Sequence, residues 1–255
     1  MTAHRFFLVG PLPQDPEQPI PLASDDVRHA VSALRVRAGE VIDVVDPDGR
    51  VWHITVLRAS ADGVFGRADG APTEVPTQPH VTLFQAVAKG EKMDEIVRRA
   101  VEIGADQIVP VLTRRCVVKM DARKQADRGE RWRRVAAAAA KQARRTTVPV
   151  VDDPVKLKDA LPLLVGYDAV VVLWEAHEGA GLLATLRAID PGVSSRVALV
   201  VGPEGGLEPE EVDELVSAGA RLATLGPSIL RTETAALVAL TLTMAALGGL
   251  GTSGE

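Results

Sequence analysis

The stretch from Ala198 to Ala235, ALVVGPEGGLEPEEVDELVSAGARLATLGPSILRTETA, constrains the fold more than any other part of the chain. It reads as an apolar strand, a glycine-rich loop, a helix, a second strand, a second loop, and a helix that begins at Thr232. In the first loop Gly202, Gly205 and Gly206 let the backbone approach a bound molecule that a β-carbon would hold off, while Pro203 stiffens the bend. Glu208 and Pro209 open the following helix, Glu210 and Glu211 face its positive end, and Gly219 stops it. A strand from Arg221 to Leu225 then leads into Gly226, Pro227, Ser228, Ile229, Leu230 and Arg231, with Thr232 as the expected N-cap. Adjacent parallel strands carrying such loops at their C-terminal ends form a crevice for a small molecule. Neither GxxxxGK[ST] nor GxGxxG occurs, so no phosphate cradle of those kinds is expected. GPEGG alone reads as an ordinary turn before it reads as a site. Two such loops together, with Arg231, Thr232 and Glu233 at the mouth of the second, point to a binding site.

Composition narrows the chemistry. The 255 residues fit one large domain or two modest ones, and the 46% hydrophobic content is that of a globular protein. One cysteine, Cys116, excludes an internal disulfide or a thiol metal cluster within one chain. The histidines His4, His29, His53, His80 and His177 are scattered, so no metal site is expected. The N-terminus lacks a basic segment followed by an apolar core, and a soluble cytoplasmic protein is expected. Thr234 to Leu250 is uncharged but short for a membrane span, so this helix is expected in the core or against a second subunit. The net charge of −5 hides a concentration of 12 Lys+Arg against 3 Asp+Glu between residues 114 and 150. A polyanion answers to that local field rather than to the total.

Along the chain, Phe6 to Val9 reads as a strand, and Ser24 as the cap of a helix with Val27, Ala30, Val31 and Leu34 on one face. Residues 40–46 and 51–57 alternate about the hairpin turn Asp48-Gly49, and Asp62-Gly63 marks another turn. Short strands with tight turns predict a small β-barrel over 1–72. The proline-rich GAPTEVPTQP supplies a linker, placed at 73–79. From residue 80 strands and helices alternate in a βαβ rhythm, which predicts an α/β domain over 80–255 with a mostly parallel sheet. In the helix from Lys92, Met93, Ile96, Val97 and Ala100 share a face, and Asp94 with Arg98 and Glu95 with Arg99 are spaced to pair. A helix around Arg128 to Arg145 carries the stripe Trp132, Ala136, Ala139, Ala143 and, on another face, Arg134, Lys141 and Arg145. That charged face is expected to meet phosphate, the ordinary alternative being solvated charge.

VGPEGG followed by LGPSILRTETA closely resembles the SPOUT class of S-adenosylmethionine-dependent RNA methyltransferases, and within it the 16S rRNA uracil-N3 methyltransferases. HAVSALRVRAGE, KGEKMDEIVRRAVEIGADQIVPVLTRRCVV and KQARRTTVPVV extend the likeness over most of the chain. The resemblance implies a PUA-like RNA-binding barrel, a C-terminal α/β trefoil-knot domain, a homodimer, and methylation of a uridine at N3 in 16S rRNA of the small ribosomal subunit. It puts a third strand end, at Leu173 and Glu175, beside the two loops. With Gly202, Pro203, Glu204, Gly205, Gly206, Leu225, Gly226, Ile229, Leu230, Thr232 and Thr234 these form the expected S-adenosylmethionine site. Arg5, Arg35, Lys89, Lys92, Arg114, Arg115, Arg134, Lys141, Gln142, Arg144 and Arg145 are the expected RNA contacts. Lys141 stands where a glutamate is common in the family.

The implied reaction is an in-line displacement, to which the enzyme first contributes alignment. N3 of uracil is a poor nucleophile while protonated. Arg231 is expected to stabilise negative charge on the base, because guanidinium stays cationic, and Glu233 to accept the proton if burial makes it basic enough. The alternatives are that these two only pair with each other, that the protein binds RNA without catalysis, or that it methylates another base or a ribose 2′-hydroxyl.

Overall fold

The structure is a computed structural model that describes residues 4–74, 78–117, 120–192 and 194–250. The chain divides into two compact units, Met1–Pro76 with Ala140–Thr147, and Thr77–Ala139 with Val148–Glu255.

The first unit holds β1 (Arg5–Phe7), α1 (Ser24–Arg28), β2 (Val41–Val45), β3 (Val51–Ser60) and β4 (Gly63–Ala68). The sheet runs β1-β2-β3-β4, parallel in its first pair and antiparallel thereafter. Gly49 and Gly63, at φ +83° and +142°, make the two turns expected at the Asp-Gly pairs. Residues 20–22 join the sheet's two edges, Ile20 N–H donating to the Val64 carbonyl at 2.8 Å and Leu22 bridging Leu8. That closure makes the expected small barrel, with Phe6, Ile42, Val44, Ile54, Val56 and Val64 inside. The first helix does not begin on the expected cap. Ala23, extended at ψ 147°, holds the cap position and Ser24 is already helical without a cap bond. A π turn at His29–Ala33 then interrupts the apolar stripe.

The second unit contains β5 (His80–Ala86), α2 (Lys92–Ile103), β6 (Gln107–Leu112), most of α3 (Ala122–Gln142), β7 (Val150–Val151), β8 (Val155–Lys156), α4 (Leu157–Ala160) and β9 (Ala169–Leu173). It ends with α5 (Leu182–Ile189), β10 (Arg196–Val201), α6 (Pro209–Ser217), β11 (Arg221–Ala223) and α7 (Thr232–Ala246). The sheet order is β11-β9-β10-β5-β6-β7, with β8 also on β6, and every pairing is parallel. This is the expected α/β class. β9, and β10 after the exposed Arg196, are apolar and buried without alternation, as strands covered by helices on both faces are.

Several boundaries differ from the sequence reading. β11 stops at Ala223, short of Leu225, because Thr224 turns to the preceding loop: its N–H donates to the Ala180 carbonyl and its carbonyl accepts from Leu182 N–H. The basic helix starts earlier than Arg128 and ends at Gln142, beyond which Arg144 sits at φ +55°. Trp132, Ala136 and Ala139 are buried as expected, whereas Ala143 lies past the helix end. Among the described residues no helix is long and apolar enough to cross a membrane. α7 instead buries Ala236, Ala239, Leu240, Thr243 and Met244 and leaves Thr234, Thr241 and Ala245 outside.

Candidate active site

Three strand ends lie level. In the ladders Val201 of β10 is opposite Leu173 of β9, which is opposite Ala223 of β11, so the loops that leave them open on one edge of the sheet. They enclose a cavity of about 380 Å³. Its walls include Leu173, Glu175, Gly202, Pro203, Glu204, Gly206, Leu225, Gly226, Ile229, Leu230, Arg231 and Thr232, so the two bends read from sequence stand together with the third strand end. Trp174, Val201, Thr224, Pro227, Ser228 and Ala235 line it too and were not expected there. Two expected cofactor residues do not. The Gly205 carbonyl accepts from Arg115 Nη1 at 2.8 Å, and Thr234 lies exposed on the outer side of α7.

The first bend is built for its path. Gly206 N–H donates to the Pro203 carbonyl at 2.9 Å, and Gly206 adopts φ +73°. A β-carbon there would also meet the Glu175 carboxylate, the movable end of an exposed side chain, so it is the positive φ that favours glycine. Leu207 is buried beneath the bend, and Glu208 and Glu211 form a reciprocal capping box that starts α6. Arg115 grips Glu208 through two bonds of 2.8 Å, which holds the Glu208 carboxyl below its ordinary range. The second bend closes on itself, with Thr224 Oγ1 donating to the Gly226 carbonyl at 3.1 Å. Gly226 sits at φ +109°, and Ile229 beyond it is 86% exposed.

Charge is arranged around the mouth. Lys92 Nζ lies 3.2 Å from Glu233 Oε2 and 3.3 Å from Glu204 Oε1, tying the first bend to the first turn of α7. Those two carboxylates, Glu233 the stronger influence, raise the Lys92 pKa. Burial pushes the Glu204 carboxyl up, but backbone N–H groups, its own and that of Lys89, together with Lys92 outweigh it and leave it lowered. The Arg231–Glu233 pair considered from sequence is not formed, since Glu233 is engaged by Lys92 although its Oε2 is not aligned for a hydrogen bond. Arg231 is exposed, lines the cavity and makes no ion pair or side-chain hydrogen bond among the described residues. It holds the cap position of α7, displacing the cap expected at Thr232, which is the first helical residue. The Thr232 hydroxyl faces inward, donating to the Gly202 carbonyl at 2.6 Å and accepting from Gln85 Nε2 at 2.9 Å.

The expected RNA contacts divide sharply. Arg114 pairs with Glu210 and Glu214, and Arg115 with Glu208, so both brace α6. Arg5 pairs with Asp43 at 3.0 Å and also bonds the Arg144 carbonyl, while Lys141 pairs with Asp26. Lys92 belongs to the cavity. Arg35, Lys89, Arg134, Gln142 and Arg144 are exposed and Arg145 is half-buried. Arg35 and Arg134 have no ion pair among the described residues. No cluster of three or more His, Cys, Asp or Glu suited to a metal ion occurs among the described residues.

An RNA methyltransferase domain family matches residues 75–244, and an RNA methyltransferase PUA domain family matches residues 22–68. Ribosomal RNA small subunit methyltransferase E of Mycobacterium bovis is 36% identical over 223 residues, 85% of this chain and 82% of that protein. The Bacillus subtilis protein of the same name is 32% identical over 240 residues, 92% of this chain and 94% of that one. The crystal structure of ribosomal RNA small subunit methyltransferase E from Neisseria gonorrhoeae bound to S-adenosyl methionine aligns at a TM-score of 0.79 and 29% identity, covering 96% and 98% of the two chains. The trefoil-knot class expected from the resemblance fits these neighbours.

Proposed function

We propose, on the premise that this chain belongs to the ribosomal RNA small subunit methyltransferase E family, that it methylates N3 of a uridine in 16S rRNA with S-adenosylmethionine as donor. The coarser activity, S-adenosylmethionine-dependent methylation of small-subunit ribosomal RNA, follows from the family; the atom and the base are the proposal. The observation that carries it is the cavity at three level strand ends, with the Arg231 guanidinium at its mouth and without an ion pair among the described residues.

The residues present suit the donor. A cavity of this size is in the range of small-molecule sites, and glycine bends and aliphatic side chains let backbone groups read an adenine. Leu173, Leu225, Ile229 and Leu230 supply apolar surface, and Glu175, which also lines the cavity, is the proposed partner of a ribose hydroxyl. When bound, S-adenosylmethionine supplies an electrophilic methyl on a sulfonium centre. The chain's own contribution is to fix the bends, exclude water with their apolar sides, and hold Arg231 where negative charge develops on the base. Glu233 remains the candidate proton acceptor, its carboxylate held beside the cavity by the ion pair of its Oε2 with Lys92.

Two further parts of the reading concern partners. The exposed side of α7, with Thr234, Thr241 and Ala245, is proposed to meet a second copy of the chain, and Arg35, Lys89, Arg134, Gln142, Arg144 and Arg145 to meet rRNA in the cytoplasm. The deciding experiment is mass analysis of nucleosides from 16S rRNA of a strain lacking the gene. Loss of 3-methyluridine, restored by the wild-type gene, is expected; loss of a 2′-O-methyl nucleoside, or of nothing, overturns the proposal.

A further inference from the structure

Gln85 is completely buried at the C-terminal end of β5, opposite Val201 in the ladder, one residue before the first bend leaves β10. It lies outside the cavity wall. Its amide orientation follows from chemistry. The Thr232 hydroxyl has one hydrogen, committed to the Gly202 carbonyl at 2.6 Å, so toward Gln85 it accepts, and Nε2 must face it. The second Nε2 hydrogen goes to the Ala86 carbonyl at 2.9 Å, and Oε1 has no partner among the described residues.

A buried amide with one end unsatisfied is an expensive way to fill space, since leucine or methionine would pack there without the desolvation loss. Its use lies in the donor. The peptide after Gly202 has proline nitrogen, with no hydrogen, so the Gly202 carbonyl is the available handle on the start of the bend. The relay Gln85–Thr232–Gly202 grips that handle from residues that are 147 and 30 positions apart in sequence.

We infer that Gln85 is a positioning residue for the methyl-donor cavity: its amide sets the Thr232 hydroxyl, which sets the carbonyl that starts the Gly202–Leu207 bend and so the spacing of the two bends. This rests on the proposed function for the identity of the ligand, but the relay itself does not depend on it. Thr232 is thereby assigned to shaping the cavity from behind, not to holding the cofactor through its hydroxyl.

The test uses the full chain as wild type, Gln85→Leu, Thr232→Val and the double variant, with two readouts. Amide hydrogen exchange of the ligand-free protein should speed up at Gly206 by about tenfold in each single variant, the loss expected of a buried bond whose partner stays behind. Calorimetric titration with S-adenosylmethionine should show each single variant about tenfold weaker, and the double variant no weaker than the weaker single, because both act through one relay. Unchanged exchange at Gly206, effects that multiply in the double variant, or a lowered melting temperature with wild-type affinity in the folded protein overturns the inference. Should Gln85→Leu fail to fold, Gln85→Met is read in its place. A wild type that binds no S-adenosylmethionine strikes at the function, and the exchange readout still decides the role of Gln85.

Discussion

Arg231 and Lys92 are both cations at the mouth of the cavity, yet their surroundings assign them opposite work. Lys92 is held by two carboxylates, whereas Arg231 has no such partner among the described residues and is exposed. Replacing Arg231 by Ala should lower turnover about a hundredfold, as loss of one charge-stabilising group does, while S-adenosylmethionine affinity stays within a few-fold. Single-turnover kinetics beside calorimetry checks it. The Lys92 tie also predicts a pH profile. Glu204 and Glu208 have lowered folded pKa values, so their contributions to stability are complete above the ordinary value of 4.5 and vanish as pH falls through the folded values. Lys92 is raised above 10.5, so its contribution is complete below that and vanishes as pH climbs through the folded value. Melting temperature should hold a plateau between about pH 5 and about pH 10 from these groups, and Glu204→Gln should blunt the acid decline.

At the scale of elements, the parts most readable in the sequence are those whose geometry is local. Glycine and proline spacing located both bends and the start of α6 at Glu208 and Pro209, and the helix expected from Lys92 is α2. What the sequence concealed depends on partners distant along the chain. Arg114 and Arg115 read as RNA contacts because nothing nearby neutralises them, but their carboxylates lie on α6, more than 90 residues away. Trp174 and Thr224 carry no signal of their own; the level ends of β9 and β11 bring them to the cavity. Thr232 had the composition of a cap and the position of a clamp. The same distinction yields a test on α3. Arg131 bonds the buried Asp94 at 2.8 Å, which also accepts from Trp132 Nε1 at 3.1 Å, whereas Arg134 is exposed and unpaired among the described residues. Arg131→Ala should cost about 1–3 kcal/mol of stability by leaving that carboxylate under-bonded, with little change in the salt dependence of RNA binding. Arg134→Ala should leave stability nearly unchanged and reduce the log–log salt slope by about one. Denaturant titrations and binding at several salt concentrations separate the two.

For the whole molecule, the overall negative charge and the basic segment describe different regions, and the fold decides how much of each remains available. Ion pairs with Asp26, Asp94, Asp153 and the α6 glutamates engage Lys141, Arg131, Arg133, Arg114 and Arg115. The field offered to RNA is therefore weaker than the count of basic residues suggests. The exposed α7 surface makes a separate statement: light scattering at micromolar concentration should give twice the chain mass, and Thr241→Arg should restore the monomer mass. An unchanged dimer in that variant would move the interface elsewhere.

The residues that finish the cavity, from Leu225 through Ala235, are synthesised well over a hundred positions after Gln85 and Lys92, to which their contacts reach back. During translation the sheet edge must wait, with β5 and β9 made but the pocket open on one side. Ribosome-bound nascent chains halted after residue 220 should therefore retain no labelled S-adenosylmethionine, while chains extended by a spacer that brings α7 out of the exit tunnel should. Competence to hold the methyl donor arises, on this topology, only once α7 can fold back onto β5.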